Sequence, residues 1–214
     1  MEACVIIPAR FKSSRFPGKP LVKLKGKEMI LWVAELSAKA VNISNVFVAT
    51  DDLRISKLVE ENGFNSILTS PDSLTGTDRV AEAVEGLDYE VIVNVQGDEP
   101  LVNPVDIRKA IDLKSKFPKS IFNSYCAIKK NENPMSRNIP KVIFNEKNDL
   151  IYISRALIPE SKEKLRDHVY KKQVCIYAFN KEELSKFGSR KEKTPLEWSE
   201  DIEINRFLEM GMKV

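Results

Sequence analysis

The stretch Val5-Ile6-Ile7-Pro8-Ala9-Arg10-Phe11-Lys12-Ser13-Ser14-Arg15-Phe16-Pro17-Gly18-Lys19-Pro20 decides how the chain is read. The apolar, β-branched run over 3–8 has the length and composition of a strand buried on both faces. It breaks at a proline into a loop holding two arginines, two lysines, two serines and a glycine, and a helix-like segment follows. Backbone N–H groups in such a turning loop aim at one spot, and the cationic side chains add positive charge there. The alternative is a solvated basic turn, because charge runs usually face water. The origin of the loop at the end of a core strand favours the anion site, since open α/β sheets bind ligands beyond the carboxyl ends of their strands.

Working outward, the first half alternates strand and helix. Residues 29–40 place Ile30, Val33, Ala34, Leu36 and Ala40 at helical spacing. A second buried strand over 45–49 ends at Thr50-Asp51-Asp52. A helix over 55–62 closes at Gly63, and 66–69 reads as a short strand. Another helix starts at Thr77-Asp78, either of which could cap it. The third strong strand, 90–95, runs into Gln96-Gly97-Asp98-Glu99-Pro100, and 106–116 is helical. This alternation predicts a parallel sheet with helices on both faces. The second half changes character. Strands over 120–128 and 141–144 are joined by a polar loop over 129–138, and short strands cover 151–153 and 174–179. Helices are expected over 181–187 and 200–210, and Lys162 and Lys164 lie in a charged loop. The expected fold is α/β: a Rossmann-like, mostly parallel sheet with helices on both faces and a smaller antiparallel subregion. One domain is expected over 1–214, with about 120–180 as an insertion.

Composition limits the function classes. With 34 basic against 31 acidic residues, the net charge of +3 is too balanced to argue for a nucleic acid or a membrane surface. No apolar run nears the ~18 residues that a membrane span needs. The first residues lead straight into a strand and show no signal-peptide pattern, so a cytoplasmic protein is expected. Cys4, Cys126 and Cys175 are odd in number and lack CxxC spacing, which reads as reduced core cysteines rather than a metal site. The single histidine, His168, sits in a charged stretch and reads as a surface residue.

Asp98 follows the third parallel strand and faces the same side as the basic loop. Magnesium prefers oxygen ligands, commonly one or two carboxylates together with substrate phosphates, so a carboxylate opposite an anion-binding loop suits it. The competing reading is a turn or capping acid. Gly76-Thr77-Asp78-Arg79 offers small and hydroxyl groups at a helix start, which can cap the helix, hold an anion, or do both. Ser154-Arg155 places a cation after a strand, with a surface arginine as the alternative. Thr194-Pro195-Leu196-Glu197-Trp198-Ser199-Glu200 reads as a helix start with acids in its first turn.

Taken together, these stretches resemble the CMP-ulosonate synthetases, and most of all the 3-deoxy-manno-octulosonate (Kdo) cytidylyltransferases. The matching segments are Ile7-Pro8-Ala9-Arg10 through Pro17-Gly18-Lys19-Pro20-Leu21, Val48-Ala49-Thr50-Asp51-Asp52, Gly76-Thr77-Asp78-Arg79 and Asn94-Val95-Gln96-Gly97-Asp98-Glu99-Pro100. Further along come Tyr152-Ile153-Ser154-Arg155-Ala156-Leu157-Ile158-Pro159, Ile176-Tyr177-Ala178 and Pro195-Leu196-Glu197. They run in family order over nearly the whole chain. The resemblance implies an enzyme that transfers CMP from CTP to a 3-deoxy-2-ulosonic acid and releases pyrophosphate, for cell-envelope polysaccharide synthesis. It implies that Arg10, Ser13, Arg15 and Lys19 hold the triphosphate, with Lys19 and Arg15 facing the leaving pyrophosphate. Gly76 and Thr77 would lie near the nucleotide, and Asp98 would ligate Mg2+. Gln96, Arg155, Tyr177, Glu197 and, in place of a histidine, Gln173 would hold the sugar acid. A homodimer built on the antiparallel second half is also implied.

Two departures stand out. The family pattern His-x-Gly-Ile-Tyr reads Gln173-Val174-Cys175-Ile176-Tyr177 here, and 200–206 departs from the usual Glu-Gln-Leu-Arg ending. The chain also stops at Val214, before a Val-Asp-Thr-Pro-Glu-Asp-like motif whose first aspartate is the family's second magnesium ligand. The resemblance therefore reads it as short at its C-terminus. Gln173 motivates one rival, a synthetase for another sugar acid of the sialic or legionaminic type. The missing motif motivates another, a nucleotide-binding remnant without catalysis.

Overall fold

The computed structural model describes residues 2–12, 16–162 and 169–214. Ser13, Arg15, Lys164 and His168, singled out above, lie outside the described residues. In chain order the elements are β1 (Ala3–Ala9), β2 (Lys23–Leu24), β3 (Lys27–Glu28), α1 (Met29–Ala38), β4 (Val46–Thr50), α2 (Leu53–Glu61), β5 (Asn65–Leu68), α3 (Gly76–Ala83) and β6 (Val91–Val95). There follow α4 (Pro104–Lys116), β7 (Phe122–Ala127), β8 (Lys141–Phe144), β9 (Leu150–Ser154), β10 (Lys171–Phe179), α5 (Lys181–Gly188), α6 (Pro195–Glu200) and α7 (Ile204–Glu209). Packing divides the chain into two compact units. The first takes Met1–Phe122 and Cys175–Glu192, and the second takes Asn123–Val174 and Lys193–Val214.

The first unit is built on β1. Every residue from Cys4 to Ala9 is buried, so both faces of the strand are covered. Full burial contributes about 1.5–3 kcal/mol for each Val or Ile side chain, which is why an unbroken β-branched run becomes the central strand. β1 pairs in parallel with β4 on one side and β6 on the other, and β5 extends the β4 side. Cys175–Phe179 of β10 then runs antiparallel to β6, with Ile176 opposite Val95. The chain steps from β1 to β4 to β5 in one direction and then crosses back over β1 to β6. Right-handed crossovers in opposite directions put helices on opposite faces, and α1 packs with α4 while α3 packs with α5. The mostly parallel α/β sheet read from the sequence is the fold observed.

Local chemistry sets the element ends. Asp52 caps α2 by accepting from Arg54 N, Thr75 caps α3 by accepting from Asp78 N, and Asn103 caps α4 by accepting from Val105 N. The α3 cap is therefore Thr75, not Thr77 or Asp78, because Thr77 is already inside the helix with its side chain buried. The fourth helix starts at Pro104, two residues before the expected 106, since Asn103 and Pro104 form a cap followed by a first-turn proline. The segment after the basic loop is not simply helical. A 3-10 turn over Lys19–Leu21 leads into the hairpin β2–β3, whose turn residues Lys25 and Gly26 both have positive φ.

In the second unit β8 and β9 pair antiparallel, with Val142 opposite Ile153, and Lys172 of β10 pairs with Lys141 of β8. The helix start read at Thr194-Pro195 is α6, and the helix expected over 200–210 begins only at Ile204 as α7. α6 ends at Glu200, Asp201 takes φ 50°, and α7 begins at Ile204. The break has a physical cause: Arg155 Nε donates to Glu200 O and Arg155 Nη2 to Asp201 O, so these carbonyls serve a side chain rather than a continuing helix. The three cysteines are free, and burial pushes the Cys4 thiol up to about 12. Among the described residues no helix is long and apolar enough to cross a membrane.

Among the described residues of the first unit, Lys114 and Glu183 form a buried ion pair with strong consequences. Lys114 Nζ on α4 donates to both carboxylate oxygens of Glu183 on α5, at 2.7 and 2.6 Å, and to Pro118 O and Ser120 O at 2.9 Å each. Both side chains are almost fully buried. Burial pushes the Lys114 pKa down, while Glu183 opposes that shift. Breaking such a pair leaves an uncompensated buried charge, so Lys114→Met should destabilise the protein by about 3–5 kcal/mol in urea denaturation. A loss of less than about 1 kcal/mol would show that Glu183 finds water or another partner.

Candidate active site

β1 and β6 are adjacent, parallel, and connected in opposite directions to the rest of the sheet. Their carboxyl ends therefore open a crevice at the topological switch point. The loop after β1 returns to the sheet at Gly18-Lys19, and the loop after β6 carries Gln96-Gly97-Asp98. In the crevice Lys19 Nζ lies 2.5 Å from Asp98 Oδ2, joining residues 79 apart in sequence. Their side chains remain 40% and 49% exposed, so the pair faces solvent and is open to a ligand. Gly97 makes the approach of the two loops possible. It is buried, and a Cβ there would sit 2.9 Å from Pro8 O, inside backbone that cannot give way.

The other expected residues of this unit surround the same edge. Arg10 is exposed at the end of β1. Arg79 is buried behind it on α3, donating to Thr69 Oγ1 and lying 3.6 Å from Asp51. Burial pushes the Arg79 pKa down and the charge of Arg10 adds to that, while Asp51 and Glu82 push it up. Gly76 opens α3, and Thr77 Oγ1 accepts from Asn94 Nδ2 at 3.3 Å. Gln96 is half-buried, and its N–H reaches Cys175 O at 3.5 Å. Tyr177 is buried on β10 opposite Asn94. Gly97 and Asn94 lie within the segment 94–100, but the sequence alone assigns neither a role. For Asn94 the available signal was an amide inside the otherwise β-branched run 91–95. A separate cavity of about 800 Å³, lined by Ser70, Asp72, Glu82, Glu85, Lys181 and Arg190 among others, contains neither Lys19 nor Asp98.

The remaining three expected residues belong to the second unit. Arg155 follows β9, and its guanidinium donates to three backbone carbonyls, those of Glu200, Asp201 and Arg137. Its own N–H donates to Glu200 Oε2 at 2.8 Å, and Ser154 Oγ and Tyr152 Oη donate to Glu200 Oε1 at 2.5 and 3.1 Å. Buried Lys141 completes the group by donating to Arg155 O at 2.6 Å and Ser136 O at 3.0 Å. Glu197 is fully buried: Arg206 Nε and Nη2 donate to its two oxygens at 2.6 Å each, and Thr194 N donates to it at 3.2 Å. Its carboxylate thus ties α6 to α7 and caps α6. Gln173 Nε2 donates to Asn123 Oδ1 at 3.0 Å. Among the described residues no group of three or more His, Cys, Asp or Glu side chains is placed to hold a metal.

A parallel sheet with a cation–carboxylate pair at its switch point has the ligand-binding edge of a doubly wound α/β protein. The model of the cytidylyltransferase family matches residues 4–214, and the chain belongs to that family. It is a nucleotidyltransferase. A 3-deoxy-manno-octulosonate cytidylyltransferase of Trichlorobacter lovleyi is 38% identical over 100% of this chain and 89% of the relative. An 8-amino-3,8-dideoxy-manno-octulosonate cytidylyltransferase of Shewanella halifaxensis is 36% identical over the same shares. Among solved structures, a CMP:2-keto-3-deoxy-manno-octonic acid synthetase complexed with CTP superposes with a TM-score of 0.90 at 32% identity. That match covers 100% of this chain and 88% of the other.

Glu200 gives the second unit a pH signature. Burial pushes its carboxyl up, but the Ser154, Arg155 and Tyr152 hydrogen bonds and the Arg155 charge outweigh burial and hold it below the usual carboxylate range. A depressed folded pKa adds stability above the unfolded pKa and loses it as pH falls through the folded one. The wild type should therefore lose stability relative to Glu200→Gln as pH drops below the ordinary glutamate value. Parallel thermal melts from neutral to acid pH check this, and identical slopes for the two proteins would contradict it.

Proposed function

We propose that this chain transfers CMP from CTP to the anomeric hydroxyl of 3-deoxy-manno-octulosonate or its 8-amino relative, releasing pyrophosphate. The Lys19–Asp98 pair at the switch point carries the reading, in a chain that resembles enzymes of both names over its full length. The anomeric hydroxyl loses its proton to solvent as its oxygen attacks the α-phosphorus, the bond from that phosphorus to the oxygen bridging to the β-phosphate breaks, and pyrophosphate leaves. Such transfer needs alignment and charge neutralisation more than a protein nucleophile. Lys19, with Arg10 at the edge of β1 and the N-terminus of α3 at Gly76-Thr77, supplies positive potential for the triphosphate. In the second unit Arg155 is the cation for the sugar carboxylate.

The donor set at Asp98 fits magnesium. Its half-exposed carboxylate already accepts a cationic neighbour, and a lone carboxylate completed by phosphate oxygens is an arrangement magnesium favours over an all-protein cage. When bound, magnesium supplies positive charge to the phosphate oxygens that carry the developing negative charge. Free cysteines agree with a cytoplasmic setting, and the product would feed cell-envelope polysaccharide synthesis. Exposed Leu196, Trp198 and Ile151 in the second unit support a homodimer formed there.

A pyrophosphate-release assay with CTP, magnesium and a panel of Kdo, its 8-amino relative and sialic acid tests the reading. Turnover of one of the two octulosonates, and of neither with ATP, is expected. Lys19→Ala should lower kcat by about 10²–10³, the scale of losing one charge-stabilising donor, with a stability change within about 1 kcal/mol, as for an exposed pair. CTP binding with no pyrophosphate release from any acid would leave only a nucleotide-binding protein.

A further inference from the structure

Lys19 lies at the end of a loop that is secured at one point by an aromatic ring. Gly18 N donates to Phe11 O at 2.8 Å, closing the loop on itself. Gly18 has φ 70°, and its backbone lies against the Phe11 ring so closely that a Cβ would come within 3.0 Å of Cε2 and 3.3 Å of Cζ. The guanidinium of Arg54 stacks on the same ring, 3.5 Å from its centroid. Arg54 is itself fixed, since Nε and Nη2 donate to the two oxygens of Asp52 at 2.9 and 2.7 Å, and Asp52 caps α2. A continuous chain of contacts thus runs from the N-terminus of α2 through Asp52, Arg54, Phe11 and Gly18 to Lys19 and Asp98.

We propose that the Arg54–Phe11 stack is a positioning device that holds Gly18 and, through it, the Lys19 ammonium in register with Asp98 for use of the nucleotide. The functional part rests on the cytidylyltransferase reading above. The geometry favours this over a purely structural role. Arg54 is largely exposed and Phe11 lies outside the sheet core, so the stack contributes little to the core. It instead contacts the one residue that turns the chain into Lys19. Arg54 is a positioning residue: it acts through Phe11 and Gly18, and 60% of its side chain stays exposed.

The test compares Arg54→Ala, Arg54→Lys, Phe11→Leu and Phe11→Tyr in the full chain. The first readout is hydrogen exchange at the Gly18 amide, which needs no substrate. The second is the set of kinetic constants for CTP and the sugar acid. An exposed cation–π contact gives about two- to fivefold effects. Arg54→Ala and Phe11→Leu should therefore lower Gly18 protection and lower kcat/KM for CTP by about that factor, leaving KM for the sugar acid unchanged. Phe11→Tyr should behave as the wild type. Arg54→Lys should fall with Arg54→Ala, because charge without the planar stack does not suffice. In a Lys19→Ala background the Arg54→Ala effect on CTP should vanish. Unchanged Gly18 protection in both Arg54→Ala and Phe11→Leu overturns the proposal, as does an undiminished CTP effect in the Lys19→Ala background. Lost protection with unchanged CTP kinetics upholds the positioning and sinks the assignment of Lys19 to the triphosphate.

Discussion

The ammonium of Lys19 and the carboxylate of Asp98 meet because β1 and β6 run side by side in the same direction. Parallel pairing with Ile6 opposite Asn94 brings both carboxyl-end loops out over the same edge, and the buried Gly97 lets the second loop pass directly beneath Pro8. The remainder of the first unit serves that adjacency. The β-branched strands supply apolar area on both faces, α1 with α4 and α3 with α5 cover it, and the buried Lys114–Glu183 pair ties α4 to α5. Two residues 79 positions apart become neighbours through a strand register rather than through any local turn.

The pair itself does little to hold the fold. Both side chains are close to half exposed, and exposed ion pairs contribute about 0–1 kcal/mol. Its significance is that a cation and an anion stand together where a charged, multi-oxygen ligand can separate them. Under the proposed function, phosphate oxygens would compete for the ammonium, and the released carboxylate would be an oxygen donor for a hard cation. The same logic does not extend to Glu197, whose oxygens are sealed against Arg206 and whose burial makes it part of the framework of the second unit.

Which parts were legible in the sequence follows from how local their causes are. The strands around Val5-Ile6-Ile7, Val46-Phe47-Val48 and Val91-Ile92-Val93 announce themselves because full burial demands apolar runs, and the loops at their ends could be placed on one edge by topology alone. The same topology puts Lys19 and Asp98 on one edge, where their side chains pair. The hairpin at 23–28 escaped because its turn depends on Lys25 taking positive φ, which lysine composition does not advertise. The break between α6 and α7 depends on Arg155, some 45 residues earlier, capturing the carbonyls of Glu200 and Asp201. Asn94 reads as one more member of a β-branched strand, and Phe11 as a lone aromatic residue between Arg10 and Lys12 in the basic loop. Their roles arise from Thr77 and Arg54, which only the folded sheet edge brings near.

Under the proposed function, Asp98 is shared between Lys19 in the free protein and a divalent cation in the nucleotide complex. Titration calorimetry of CTP into wild-type and Asp98→Asn protein across a magnesium series tests it most directly. In the wild type, CTP binding should tighten as magnesium rises. In Asp98→Asn the apparent metal affinity should fall by at least about tenfold, the loss that even outer-shell changes at metal sites cause. An Asp98→Asn protein whose CTP affinity responds to magnesium as the wild type does would contradict the account.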